Sequence, residues 1–190
     1  MKIIITLFVL LFSSSLFADN ISDFEIDGMS IGDSLLKHYS EKQINNAKKT
    51  NYPTSTKFID VWLNSKNELY EELSITIKEN DKNYIIYSIS GVINFINNFD
   101  RCLEFKKNVI SELIILFPNV KQFDYEYIYE KVEDGKSIAY ITDFDLSNGS
   151  VRVYCQDFSK ITENKRGWLD DGRVEVSTRE FLDWLNDHSY

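Results

Sequence analysis

Proline, histidine and methionine are scarce in this chain of 190 residues, at two each, with two cysteines and seven glycines. Each scarcity excludes something. The two histidines, His38 and His188, stand nowhere near ligand spacing from each other or from the cysteines, which argues against a metal centre. Two cysteines are too few for a four-thiolate zinc site, and they do not form the C-x-x-C of a redox motif. With so little proline and glycine there is no flexible linker, and no repeat or low-complexity tract appears, so the chain reads as one domain. Positive charge is also short: 21 Lys and Arg against 30 Asp and Glu give a net charge of -9. Nucleic acids and anionic membrane surfaces both need basic patches, so neither is an expected partner. No cofactor motif stands out either. The expected partner is a protein or small molecule that the sequence does not specify.

What is present begins with an apolar N-terminus. Lys2 precedes the run Ile3-Ile4-Ile5-Thr6-Leu7-Phe8-Val9-Leu10-Leu11-Phe12, and Ser13-Ser14-Ser15-Leu16-Phe17-Ala18 comes after it. A charged start, a short apolar stretch and a small-residue exit describe a signal peptide, residues 1–18, cut before Asp19. The run is shorter than the roughly 20 residues a membrane-spanning helix needs, and no later run approaches it. A residue other than Cys after the cut disfavours a lipid anchor. The expected product is a periplasmic or secreted domain, residues 19–190, with no span in the mature chain. In that oxidising setting Cys102 and Cys155 are expected to form a structural disulfide.

Local patterns give a coarse architecture. Ser30-Ile31-Gly32-Asp33 has the form of a capping box, and Ile31, Leu35 and Tyr39 would fall on one helical face behind it. Ser40 to Gln43 repeats the pattern before Ile44 and Ala47. Strands are expected over 58–63 and 73–77, then a turn at 79–83 and a long β run over 84–95, where Gly91 suggests a bulge or bend. Cys102, Phe105, Val109, Leu113 and Leu116 form one helical stripe, and Pro118 ends it. Phe123, Tyr125, Tyr127 and Tyr129 alternate with mostly acidic residues. That alternation puts the rings in the core, where Tyr127→Ala is expected to cost roughly 3–5 kcal/mol; a ligand platform is the other reading. A hairpin around Ser147-Asn148-Gly149 joins 139–144 to 151–155. Val174 and Val176 form a last strand, and Ser177 to Glu180 opens a helix carrying Phe181, Trp184 and Leu185. The class is α+β: a mainly antiparallel sheet with a long central helix packed on it, two short N-terminal helices and a C-terminal helix.

Several motifs suggest chemistry. Gly32-Asp33-Ser34-Leu35 spells the first block of the GDSL esterases, where the Ser is the nucleophile and a D-x-x-H near the C-terminus completes the triad. Three residues before His188 stands Leu185, and Gly91-Val92-Ile93-Asn94 does not match the family's G-x-N-D block. Gly28-Met29-Ser30-Ile31-Gly32 matches the G-x-S-x-G elbow, but that elbow needs several strands before it. Asp143-Phe144-Asp145-Leu146-Ser147 begins like a calcium loop, yet Asn148 and Tyr154 occupy the positions that need Gly and Glu. Asp170-Asp171-Gly172 is a weaker version of the same pattern.

Two longer segments, Phe24 through Leu36 and Tyr87 through Cys102, resemble a group of small secreted proteins of Pelagibacter-type marine alphaproteobacteria. The resemblance implies export and carries over no functional residue. Together these features point to a non-catalytic binding or envelope-accessory domain, with no catalytic or metal residue assigned. The alternative is a GDSL-like hydrolase with Ser34 as its nucleophile.

Overall fold

The computed structural model describes residues 20–188, and the expected signal segment and its cut before Asp19 lie outside them. The fold is α+β, built on a large antiparallel sheet. A small hairpin comes first, β1 (Glu25–Ile26) and β2 (Met29–Ser30), then α1 (Glu41–Asn46). Next come β3 (Lys48–Tyr52), β4 (Ser55–Asn64), β5 (Glu72–Lys78) and β6 (Ser88–Asn94), and then α2 (Phe99–Leu116). The second half holds β7 (Lys121–Ile128), β8 (Ile138–Leu146), β9 (Gly149–Asp157), α3 (Lys160–Arg166), β10 (Asp171–Thr178) and α4 (Arg179–His188). The main sheet has eight strands in the order β3-β4-β5-β6-β10-β9-β8-β7, every pair antiparallel.

Directly paired residues share a face of the sheet, so the register sorts side chains unambiguously. One row reads Phe144, Val151, Val176, Ile89, Ile75 and Val61 across six strands. All six are buried and apolar. This face forms the core. Over β9 and β10 it is covered by α2, which turns Cys102 and Leu113 inward. Elsewhere the N-terminal segment covers it with Phe24, Ile26, Met29, Leu35 and Ile44.

Two expectations about helices are overturned by this arrangement. The long helix does not hold the centre of the fold alone. A helix body about 10 Å wide spans two or three strands, so the N-terminal segment shares the same face. Nor do two N-terminal helices form. Gly32 adopts φ +87°, which turns the chain alongside residues 84–86. There Gly32 N donates to Ile86 O at 3.0 Å, and Leu35 N donates to Tyr84 O at 2.9 Å. Asp33 does reach back to the Ser30 amide at 3.2 Å, the reciprocal arm of a capping box. Beyond Asp33 the chain makes only the 3-10 turn Leu35–Lys37, capped by Ser34. Ser40 and Gln43 do form a complete capping box, on α1.

The sulfurs of Cys102 and Cys155 are at bonding distance, 2.01 Å, with Cα atoms 5.9 Å apart. The bridge ties α2 to β9 within the core. Gly172 on β10 is the register partner of Cys155. A Cβ at Gly172 would meet Cys102 Sγ and Phe95 Cε2 at 2.8 Å each, so only glycine leaves room for the bridge. Gly91 marks no bulge. Its register with Leu73 and Val174 is regular, and the Tyr70 ring lies where its Cβ would stand.

The aromatic row is the larger correction. Phe123, Tyr125 and Tyr127 on β7 are exposed, at 41%, 41% and 43%. β7 is an edge strand, and its aromatic positions fall on the face opposite α2. The alternate residues take the helix side: Asp124 accepts from Thr142 at 2.5 Å, and Thr142 accepts from Lys106 of α2 at 2.7 Å. Alternation places the rings correctly on one side of the strand, but it does not say which side of the sheet is covered.

Candidate ligand-binding face

The face away from α2 is polar. One continuous row crosses all eight strands. It starts with Phe123, Asp143, Arg152 and Glu175 and continues through Ser90, Ser74, Trp62 and Lys48. The neighbouring row begins Tyr125, Ile141, Tyr154 and Arg173. Helix α4 covers one end of this face, packing Phe181 and Trp184 onto Phe58 and Tyr52.

Charges on this face are held in a fixed network. Arg152 Nε donates to Asp143 Oδ2 at 2.9 Å, and its Nη1 lies 4.0 Å from Glu175 Oε1. Glu175 also accepts from Ser90 at 2.9 Å, Tyr154 at 3.0 Å and Ser177 at 3.1 Å. Arg173 forks onto Asp171 at 3.0 and 2.7 Å, the bidentate geometry that makes such pairs strong. Its guanidinium carbon stands 5.3 Å from the Trp62 ring centre, although β5 and β6 lie between their strands. Side chains from β4 and β10 therefore lean together across the intervening strands, which present Ser74, Ser90 and Val92 between them.

Burial shapes the titration of these groups. Burial pushes the Asp60 carboxyl above the usual carboxylate range, more than the hydroxyls of Thr76 and Tyr52 pull it down. Burial and neighbouring Asp60 raise the Tyr52 phenol. Burial raises Tyr129 to about 12. Burial opposes the charge on Arg173 most strongly, but Asp171 with Tyr154 and Tyr129 together outweigh it and hold the guanidinium above its ordinary value.

Among the described residues, three buried oxygens on this face have no hydrogen-bond partner: Asp143 Oδ1, Ser150 Oγ and Gln156 Oε1. Ser150 and Gln156 are only 2% and 6% exposed. Leaving a buried acceptor unsatisfied costs about 1–3 kcal/mol, so these atoms mark unspent hydrogen-bonding capacity beneath the polar face. Gln156 already uses its amide nitrogen on the Tyr129 hydroxyl. The exposed rings of Tyr125 and Tyr127 lie on β7, where Tyr127 aligns through Ala139 with Gln156.

The serine motifs lie elsewhere. Ser34 Oγ donates to Asn83 O at 2.6 Å and accepts from Leu36 N at 3.3 Å, the bonding of a capping residue. His188 stacks on Trp184 at the end of α4, with Nδ1 2.8 Å from Trp184 O. No hydrogen bond among the described residues joins the two. Asp27 and Gly28, both at positive φ, make the two-residue turn of the β1–β2 hairpin, which accounts for the start of the G-x-S-x-G letters. Asp143 and Asp145 lie in strand β8, not in a loop, and Arg152 and Arg179 pair with them. Among the described residues no group of three or more His, Cys, Asp or Glu could hold a metal ion. No helix there is long and apolar enough to cross a membrane.

Sequence reasoning missed Arg152, Tyr154, Arg173 and Glu175. The signal was present: they alternate with Val151, Val153, Cys155, Val174 and Val176, the residues that mark the core face. No protein-family model, curated protein or solved structure shows a significant match to the chain.

Proposed function

We propose that this chain is an exported, non-catalytic binding domain, and that the polar face of its sheet receives a neutral, hydroxyl-rich ligand of the glycan class. The observation that carries the reading is the row of exposed rings of Phe123, Tyr125 and Tyr127 on the side of the sheet away from α2, bordered by the polar side chains of Asp143 and Arg152. Ligand hydroxyls suit the partly exposed carboxylate and guanidinium of Asp143 and Arg152 beside the rings. The apolar faces of a sugar ring suit the rings of Tyr125 and Tyr127. The arginines are already neutralised by carboxylates, which disfavours an anionic ligand. A disulfide in the core suits the oxidising compartment that an N-terminal signal peptide implies. The Ser34 hydroxyl is engaged in capping, which favours binding over hydrolysis.

An array of neutral, acidic and amino-bearing oligosaccharides, probed with the mature protein and with Tyr127→Ala, tests the proposal. Binding confined to neutral glycans and lost in the variant supports it. Binding only to acidic members, or equal binding by both proteins, contradicts it.

A further inference from the structure

The two edges of the sheet differ in how they are guarded. An open edge presents unpaired N–H and C=O groups, and proteins blunt such edges with charged side chains, lysine above all, and with proline, short length or bulges. Strand β3 obeys this rule. It is five residues long, carries Lys48 and Lys49, and shifts register between Asn51 and Tyr52. Strand β7 obeys it less. Its eight residues pair with β8 one for one without a register shift. It contains no proline, its single lysine is the first residue, and every residue is exposed.

We propose that β7 is a docking edge, and that its occupant is an extended segment of another protein that adds as a ninth strand and carries Lys or Arg at alternate positions. The side chains of β7 set that pattern. Cross-strand neighbours interact through directly opposed pairs. On the side away from α2 the added strand meets Phe123, Tyr125 and Tyr127, which favour β-branched or aromatic residues. On the other side it meets Asp124 and Glu126, which favour cations. The net charge of -9 draws the same kind of partner.

A second copy of this chain fits poorly. An antiparallel β7–β7 pairing that keeps the aromatic faces together has two registers that preserve nearly the whole strand. One sets Asp124 against Glu126, and the other sets Asp124 against itself, and like charges directly opposed are destabilising. The proposal does not depend on the glycan reading, because the docking contacts are main-chain bonds along β7.

The test uses the mature protein and a blocked peptide, Thr-Val-Lys-Val-Lys-Val-Thr, with the Glu-for-Lys peptide as its counterpart. Titration is monitored by calorimetry and by amide hydrogen exchange. The lysine peptide is expected to bind on the order of tenfold more tightly than its acidic counterpart and to slow exchange within residues 121–128. Glu126→Lys is expected to narrow or reverse that preference. N-methylation of the peptide at alternate residues is expected to abolish binding in one of the two phases only, as main-chain pairing demands. Equal affinity for the two peptides, no binding of the lysine peptide, protection away from β7, or a dimer of the protein formed through β7 would overturn the proposal.

Discussion

Gly172 is the residue at which the core tolerates least. Its missing side chain makes room for the disulfide sulfur and for Phe95, so Gly172→Ala is expected to destabilise by about 1–3 kcal/mol through overpacking. Urea unfolding of the oxidised protein checks this, and a change within about half a kcal/mol would refute it. Tyr127 is the opposite case. With its ring half exposed beside Tyr129, Tyr127→Ala is expected to cost about 1 kcal/mol or less, not the larger loss that a core position implies. Asp60 gives a pH signature. Its carboxyl titrates above the usual range in the folded state because burial disfavours the charge. The stability this contributes is complete below the unfolded value of about 3.9 and is lost as pH rises through the folded value. Asp60→Asn removes the titration and leaves an oxygen for Thr76 and Tyr52. The stability of the variant relative to wild type should therefore climb as pH rises from about 4 towards neutrality. Denaturation series at several pH values measure it, and a difference that stays flat or falls with pH contradicts the assignment.

Among the elements, α2 depends on the bridge more than on its own caps. Asn98 provides no side-chain cap, whereas Cys102 anchors the first turns to β9. The bridge spans 53 residues of sequence, for which loop entropy gives about 4 kcal/mol. Replacing both cysteines by serine is expected to lower stability by about 2–4 kcal/mol, read as a lower urea midpoint. An unchanged midpoint would show that packing alone holds the helix. Elements whose patterns are fully local were legible in the sequence: the stripe of α2, the hairpin at Ser147-Asn148, the apolar alternation of β9 and β10. What depended on distant partners was not. The run at Ser30–Asp33 carries capping letters, but its backbone is claimed by residues 84–86. The rings of β7 alternate like a core strand, but β7 is at the edge, and edge position is a property of the sheet order. The candidate site shares that difficulty, because its members come from strands far apart in sequence and converge only through the register.

Across the fold, the sheet separates two environments. One face is sealed by α2, the N-terminal segment and the disulfide. The other is a charged and aromatic surface, roofed at one end by α4 and lined at the β7 edge by exposed rings. On the proposed reading this second face is where the protein meets its ligand. Amide chemical-shift mapping with the tightest-binding neutral glycan from the array decides the matter. Perturbations should cluster at Tyr125, Tyr127, Asp143, Arg152 and Gln156. A footprint over α2 or around Ser34, or no shift at all, would contradict that reading.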